Sequence, residues 1–176
     1  MSMNETNILA RVGAYLSHLK SVKYAYDNGY DKLMIMEDDA CPLSNFYEEF
    51  PVPKNADILY AGGYFIKQDD FNPDYQSSLI PINIDEFKIV GIYSYILPSR
   101  KSIETVYKVL MSVFLQGKGQ DKNDNWRSGK VRLRATNIDV MYANYFQKLG
   151  NTYIINPVRV AAREFESNIT NNRSEY

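Results

Sequence analysis

The segment Asp31-Lys32-Leu33-Met34-Ile35-Met36-Glu37-Asp38-Asp39-Ala40 carries both a fold signal and a chemical one. Leu33 to Met36 is a continuous apolar run, which predicts a short strand buried on both faces in a largely parallel sheet. It stops abruptly at the adjacent carboxylates Glu37, Asp38 and Asp39.

Upstream, Ile8, Leu9, Val12, Leu16, Leu19, Val22 and Tyr26 recur at helical spacing, predicting a helix from about Ile8 to Asn28 that Gly29 closes. Downstream, Phe46 to Phe50 reads as a short helix closed by Pro51 and Pro53. Asp57 to Ala61 reads as a second buried strand, broken by Gly62-Gly63. Lys67 to Glu86 is polar and turn-rich, a surface excursion of the kind that forms binding loops or lids.

Lys88 to Leu97 is rich in Ile, Val and Tyr, hence a strand, and Pro98-Ser99 then opens a helix carrying Ile103, Val106, Leu110 and Val113. After a polar connection from Gly117 to Gly129, a third helix runs from about Ile138 to Leu149 and ends at Gly150. Thr152 to Ile155 is a final strand, closed by Asn156-Pro157. Strands alternating with helices predict an α/β architecture with a mainly parallel sheet, in which ligands bind beyond the carboxyl ends of the strands. With no repeat or linker in view, residues 1–176 are expected to form one domain, with 1–12 and 168–176 flexible.

At 45% hydrophobic and 23% charged residues, the composition is that of a soluble folded protein, not of a disordered or disulfide-framed chain. Twenty Lys and Arg against 21 Asp and Glu leave a net charge of −1, so no global field favours nucleic acid or an anionic membrane. Cys41 is the only cysteine, which excludes an internal disulfide and a cysteine-built zinc cluster and suits a reducing cytoplasm. The polar N-terminus does not resemble a signal peptide, and no window nears the roughly 20 apolar residues of a membrane span. The 15 tyrosines suit both half-buried sheet faces and polar clefts, so their abundance decides neither.

Adjacent carboxylates repel one another unless water or a cation neutralises them. If the backbone stays extended, Glu37 and Asp39 project to one side and Asp38 to the other, and two oxygen donors on one side suit Mg²⁺ or Mn²⁺. Taken alone, the cluster is more simply a solvated acidic loop. His18 is the only histidine and sits beside Leu19 in the first helix, where packing is the ordinary role for such a residue. Asp139 follows Thr136-Asn137 at a helix start, where the helix dipole by itself favours an acid. Lys130, Arg132 and Arg134 alternate with Val131 and Leu133, giving a cationic face for a diphosphate, an anionic acceptor or solvent. The glycosylation sequons at Asn168 and Asn172, without a secretory signal, are read as chance.

In order along the chain, Gly13-Ala14-Tyr15-Leu16-Ser17-His18 and Ile35-Met36-Glu37-Asp38-Asp39-Ala40 resemble the pattern of glycosyltransferase family 25, which includes lipooligosaccharide and collagen galactosyltransferases. Asp57 to Gly62 is similar to that family's strand-Gly segment, and Gly91, Tyr95, Ser99 and Arg100 to its Gly-x-x-x-Tyr-x-x-x-Ser-Arg stretch. Asn137-Ile138-Asp139 resembles its downstream Asp, and Tyr153, Pro157 and Ser167 its closing pattern. The similarity spans about Gly13 to Ile169, with Ala14 where the family often has Cys and Arg163 where Gln is common.

The resemblance implies a GT-A-like, Rossmann-like fold, a nucleotide-sugar donor such as a UDP-sugar, Mn²⁺ or Mg²⁺, and inversion at the anomeric carbon. It implies Glu37 and Asp39 as metal ligands, with Ser17, His18, Glu37, Asp38 and Gly62 around the donor. The base for the acceptor hydroxyl would be Asp139, with Glu164 as the second candidate. Only twelve residues precede Gly13, where the family carries a further βαβ segment, so the resemblance implies an N-terminally shortened fold. The nucleotide pocket would then be incomplete or completed by a second copy of the chain in a homo-oligomer. The expected function is thus metal-dependent transfer of a sugar to a glycan or other hydroxyl acceptor. The alternative is a catalytically degenerate module of the same fold that recognises a sugar or a protein partner.

Overall fold

The computed structural model describes residues 5–67, 76–118 and 138–162. Chain order is α1 (Glu5–Asp27), β1 (Leu33–Met36), β2 (Ala40–Pro42), β3 (Ile58–Lys67), β4 (Leu79–Pro81), β5 (Phe87–Leu97) and α2 (Arg100–Lys118). There follow α3 (Ile138–Met141), a π-helical turn (Tyr142–Phe146), a 3₁₀ turn (Gln147–Leu149), β6 (Thr152–Ile155) and β7 (Val160–Ala162).

Helix α1 buries Tyr15, Leu19, Val22 and Ala25 at helical spacing. It ends where the sequence predicts: Tyr30 N–H donates to Ala25 O at 3.0 Å around Gly29, whose φ is 72°. Helix α2 is capped by Ser99, whose Oγ accepts the Ser102 N–H at 3.1 Å, and it buries Ile103, Val106 and Leu110. The two helices pack together: Tyr26 stacks on Tyr107 at 4.7 Å, with the Arg100 guanidinium over the Tyr26 ring, and the Tyr15 hydroxyl donates to Leu110 O.

The five-stranded sheet has the order β1-β5-β3-β6-β4, and only β3 and β6 run parallel. The mainly parallel sheet expected from sequence is therefore corrected to a mixed, mostly antiparallel one within an α/β fold. The reason is the missing crossovers. Residues 46–50 form turn and irregular backbone rather than a helix, so β1, β2 and β3 follow one another without one, and no helix lies between β4 and β5. An apolar run of four residues does not report the direction of its partner. Strand β1 is an edge strand paired with β5 alone, and only Ile35 of its residues is buried.

Two further boundaries differ. Strand β3 runs on through Gly62-Gly63 to Lys67 instead of breaking there. The excursion after Lys67 includes β4, whose Leu79 and Ile80 are buried with the nearby Ile82; residues 68–75 lie outside the described set. The third helix is a single α turn continued by the π and 3₁₀ turns, ending at Gly150 as expected.

One face of the sheet carries Ile35, Ile58, Tyr60, Ile89, Ile92, Tyr95 and Leu97 against the helices. The other packs Leu59, Ala61, Tyr93 and Ile155 against the β2–β7 ribbon and the Phe46 and Phe50 rings. A cavity of about 260 Å³ on this second face, between Phe50, Val52, Leu59 and Ile96, shares no lining residue with the acidic cluster. Among the described residues, no helix is long and apolar enough to cross a membrane.

Candidate functional site

The end of β1 does not stay extended. Ala40 N–H donates to Glu37 O at 3.1 Å, so the chain turns over Asp38-Asp39, and the same-side alternation of Glu37 and Asp39 gives way to a tight turn. Glu37 N–H is held by Tyr93 O at 2.9 Å, which anchors the turn to β5.

That anchor exists because the β3–β5 ladder is bulged. Tyr60 pairs with Tyr95, Gly62 with Ser94, Gly63 with Ile92 and Tyr64 with Val90, leaving Ala61, Gly91 and Tyr93 out of that ladder. Tyr93 accordingly faces the second side of the sheet while Ile92 and Tyr95 face the helices. Gly91 has φ 60°, and a Cβ there would lie 2.4 Å from Cδ2 of Tyr64, so the Tyr64 ring rests over a position open to glycine alone. Tyr64 is 53% exposed and meets Tyr93 edge to face at 5.0 Å.

His18 is 5% exposed and reaches the acidic turn from α1. Its Nε2 lies 3.3 Å from Glu37 Oε1 and its Nδ1 2.9 Å from Tyr95 Oη, which also accepts the Tyr142 hydroxyl at 2.8 Å. Burial holds the Tyr95 and Tyr142 phenols well above the usual range, so both stay protonated.

Asp39 Oδ1 is buried and has no hydrogen-bond partner among the described residues. Burial, then the charge of Glu37 and that of Asp38, raises the Asp39 carboxyl. Asp139, in the first turn of α3, accepts the Ile92 N–H at 3.3 Å through Oδ1. Its carboxyl is raised mainly by burial and further by Glu37, against the lowering effect of the Ile92 N–H, His18 and Arg11.

His18, Glu37, Asp39 and Asp139 therefore belong to one electrostatically connected cluster, although they come from α1, the β1 end and α3. Asp38, exposed at the turn, borders the cluster through its charge on Asp39, and the other expected residues lie apart from it. The Ser17 hydroxyl donates back to Gly13 O at 3.0 Å on the exposed side of α1. Gly62 is buried against β7, where a Cβ would fall 2.2 Å from Val160 O, so glycine is required there for packing whether or not a donor binds. Glu164, Arg163, Ser167, the basic alternation Lys130, Arg132 and Arg134, Thr136-Asn137 and both sequons lie outside the described residues.

Sequence reasoning missed Arg11, which stands seven residues before His18 and so on the same face of α1; its Nε is buried without a partner among the described residues. It also missed Tyr64, Tyr93 and Tyr142, for which only the density of tyrosine gave a signal.

Among the described residues, no three His, Cys, Asp or Glu side chains are grouped so as to hold a metal by themselves. Asp39 and Glu37 are hard oxygen donors of the kind a small divalent cation takes, and Oδ1 of Asp39 is buried and unsatisfied among the described residues. No protein-family model matches the chain, and no curated protein and no solved structure matches it either.

Proposed function

We propose that the chain is a metal-dependent glycosyltransferase that moves a sugar, with inversion, from a nucleotide-sugar donor to a hydroxyl of a glycan or other acceptor. The observation that carries this reading is the buried, unpartnered oxygen of Asp39 inside a cluster that also holds Glu37, His18 and a raised Asp139. Repelling carboxylates in part-buried positions are costly unless a cation joins them.

Asp39 and Glu37 would hold Mn²⁺ or Mg²⁺, which when bound supplies positive charge to the departing nucleoside diphosphate. Arg11 adds a protein cation near Asp139 for the same phosphates. Asp139, whose carboxyl is raised mainly by burial and is a stronger base than a free carboxylate, takes the acceptor's hydroxyl proton. The acceptor oxygen then bonds to the anomeric carbon from the face opposite the diphosphate, and the carbon–oxygen bond to the phosphate breaks with its electron pair leaving on the diphosphate. Tyr64 offers an exposed ring, braced by Tyr93, on which the apolar face of a sugar can rest. That ring equally serves a module that binds sugar without transferring it, which is the second reading.

Asp139→Asn separates the two. The transferase reading expects UDP release from UDP-sugars to fall by about 10²-fold or more, with donor affinity changed less than about threefold. Equal, donor-independent background release by wild type and variant would leave the binding-module reading.

A further inference from the structure

His18 is the only histidine, and both its ring nitrogens are engaged. The Tyr142 hydroxyl donates to Tyr95 Oη at 2.8 Å. Tyr95 is 1% exposed, and its hydroxyl partners among the described residues are Tyr142 and His18. With its oxygen already accepting from Tyr142, the Tyr95 proton has one acceptor within reach, His18 Nδ1 at 2.9 Å. Nδ1 then carries a lone pair, and the imidazole proton sits on Nε2, which faces Glu37 Oε1 at 3.3 Å.

We infer that Tyr142 and Tyr95 are positioning residues: they fix His18 as the Nε2–H tautomer, and His18 in turn holds one oxygen of Glu37 and leaves the other for a ligand. Every bond then donates in the same direction, from Tyr142 to Tyr95 to His18 to Glu37. The opposite tautomer would aim an N–H at a Tyr95 oxygen already accepting a bond, strand the Tyr95 proton in a buried site, and set a nitrogen lone pair against a carboxylate. Held this way, Glu37 keeps a defined place in a cluster whose other charges push it away, as outer hydrogen bonds do for metal-ligating side chains.

The tautomer follows from the hydrogen bonds alone; its link to cation binding rests on the proposed function. Because one histidine gives one set of imidazole signals, ¹⁵N NMR of uniformly labelled protein reads the tautomer without assignment. Wild type is expected to show a protonated Nε2 and an Nδ1 that accepts a hydrogen bond. Tyr95→Phe should move Nδ1 to an unbonded position, and Tyr142→Phe, which frees Tyr95 Oη to accept, should raise the Nδ1–H population. An Nδ1–H form in wild type, or spectra unchanged in both variants, overturns the tautomer assignment. Should Tyr95→Phe fail to fold, wild type and Tyr142→Phe still decide it.

The positioning of Glu37 is read separately, as Mn²⁺ affinity by calorimetry, which Tyr95→Phe should weaken about tenfold. Affinity within a factor of about two of wild type overturns the positioning role even if the spectra agree. Absence of Mn²⁺ binding by wild type overturns the metal reading instead, with the tautomer still decided by the spectra.

Discussion

Gly62 shows how a residue singled out by a motif can owe its identity to packing. A methyl group at this position would lie 2.2 Å from the carbonyl oxygen of Val160 and 3.2 Å from its Cβ, and the nearest atom is backbone that cannot rotate away. Gly62→Ala should therefore destabilise the fold by about 1–3 kcal/mol, measured as a lowered urea midpoint, because β7 must shift to admit it. A midpoint equal to wild type would show that β7 yields freely. His18, Glu37, Asp39 and Asp139 were legible because a charge cluster, a lone histidine and an acid at a helix start are visible in any chain. Their electrostatic connection was not, and neither were the roles of Tyr93 and Tyr142, since a bulge in one strand and a hydrogen bond across 47 residues leave no local trace.

Elements whose signals are local were read well. Asn28-Gly29 ends α1, Ser99 opens α2, and Gly150 ends the turns after α3, each through a backbone requirement that one or two residues meet. Removing the cap with Ser99→Ala leaves the Ser102 N–H without its side-chain acceptor and should cost about 1 kcal/mol in thermal or urea unfolding. A loss below about 0.3 kcal/mol would mean that water replaces the cap fully. Strand partners were read poorly for the complementary reason. Leu33 to Met36 looks the same beside a parallel or an antiparallel neighbour, and only the connections decide; residues 46–50, expected as a helix, make no crossover between β1 and β3.

At the scale of the molecule, helices cover one face of the sheet, the β2–β7 ribbon covers the other, and the acidic cluster forms where α1, the end of β1, the β5 bulge and α3 converge. A site drawn from separate elements costs stability when its charges are unneutralised. Asp39 and Asp139 are both raised above the ordinary 3.8, so each binds protons more readily folded than unfolded. Their contribution to stability is full below that ordinary value and is lost as pH rises through the raised folded values. Asp39→Asn should accordingly flatten the fall of the urea midpoint with rising pH and leave the metal-free protein more stable than wild type at neutral pH; parallel profiles for the two would count against a strained carboxylate at this position.

Calorimetric titration of Mn²⁺, with and without UDP-sugars, into wild type and Asp39→Asn tests most directly whether this cluster is built for a cation and a nucleotide sugar. Wild type should bind Mn²⁺ and should take up a UDP-sugar more tightly when Mn²⁺ is present, while the variant should lose Mn²⁺ affinity by about tenfold or more. No heat in wild type for Mn²⁺ with any UDP-sugar, or equal affinity in wild type and Asp39→Asn, would contradict the account.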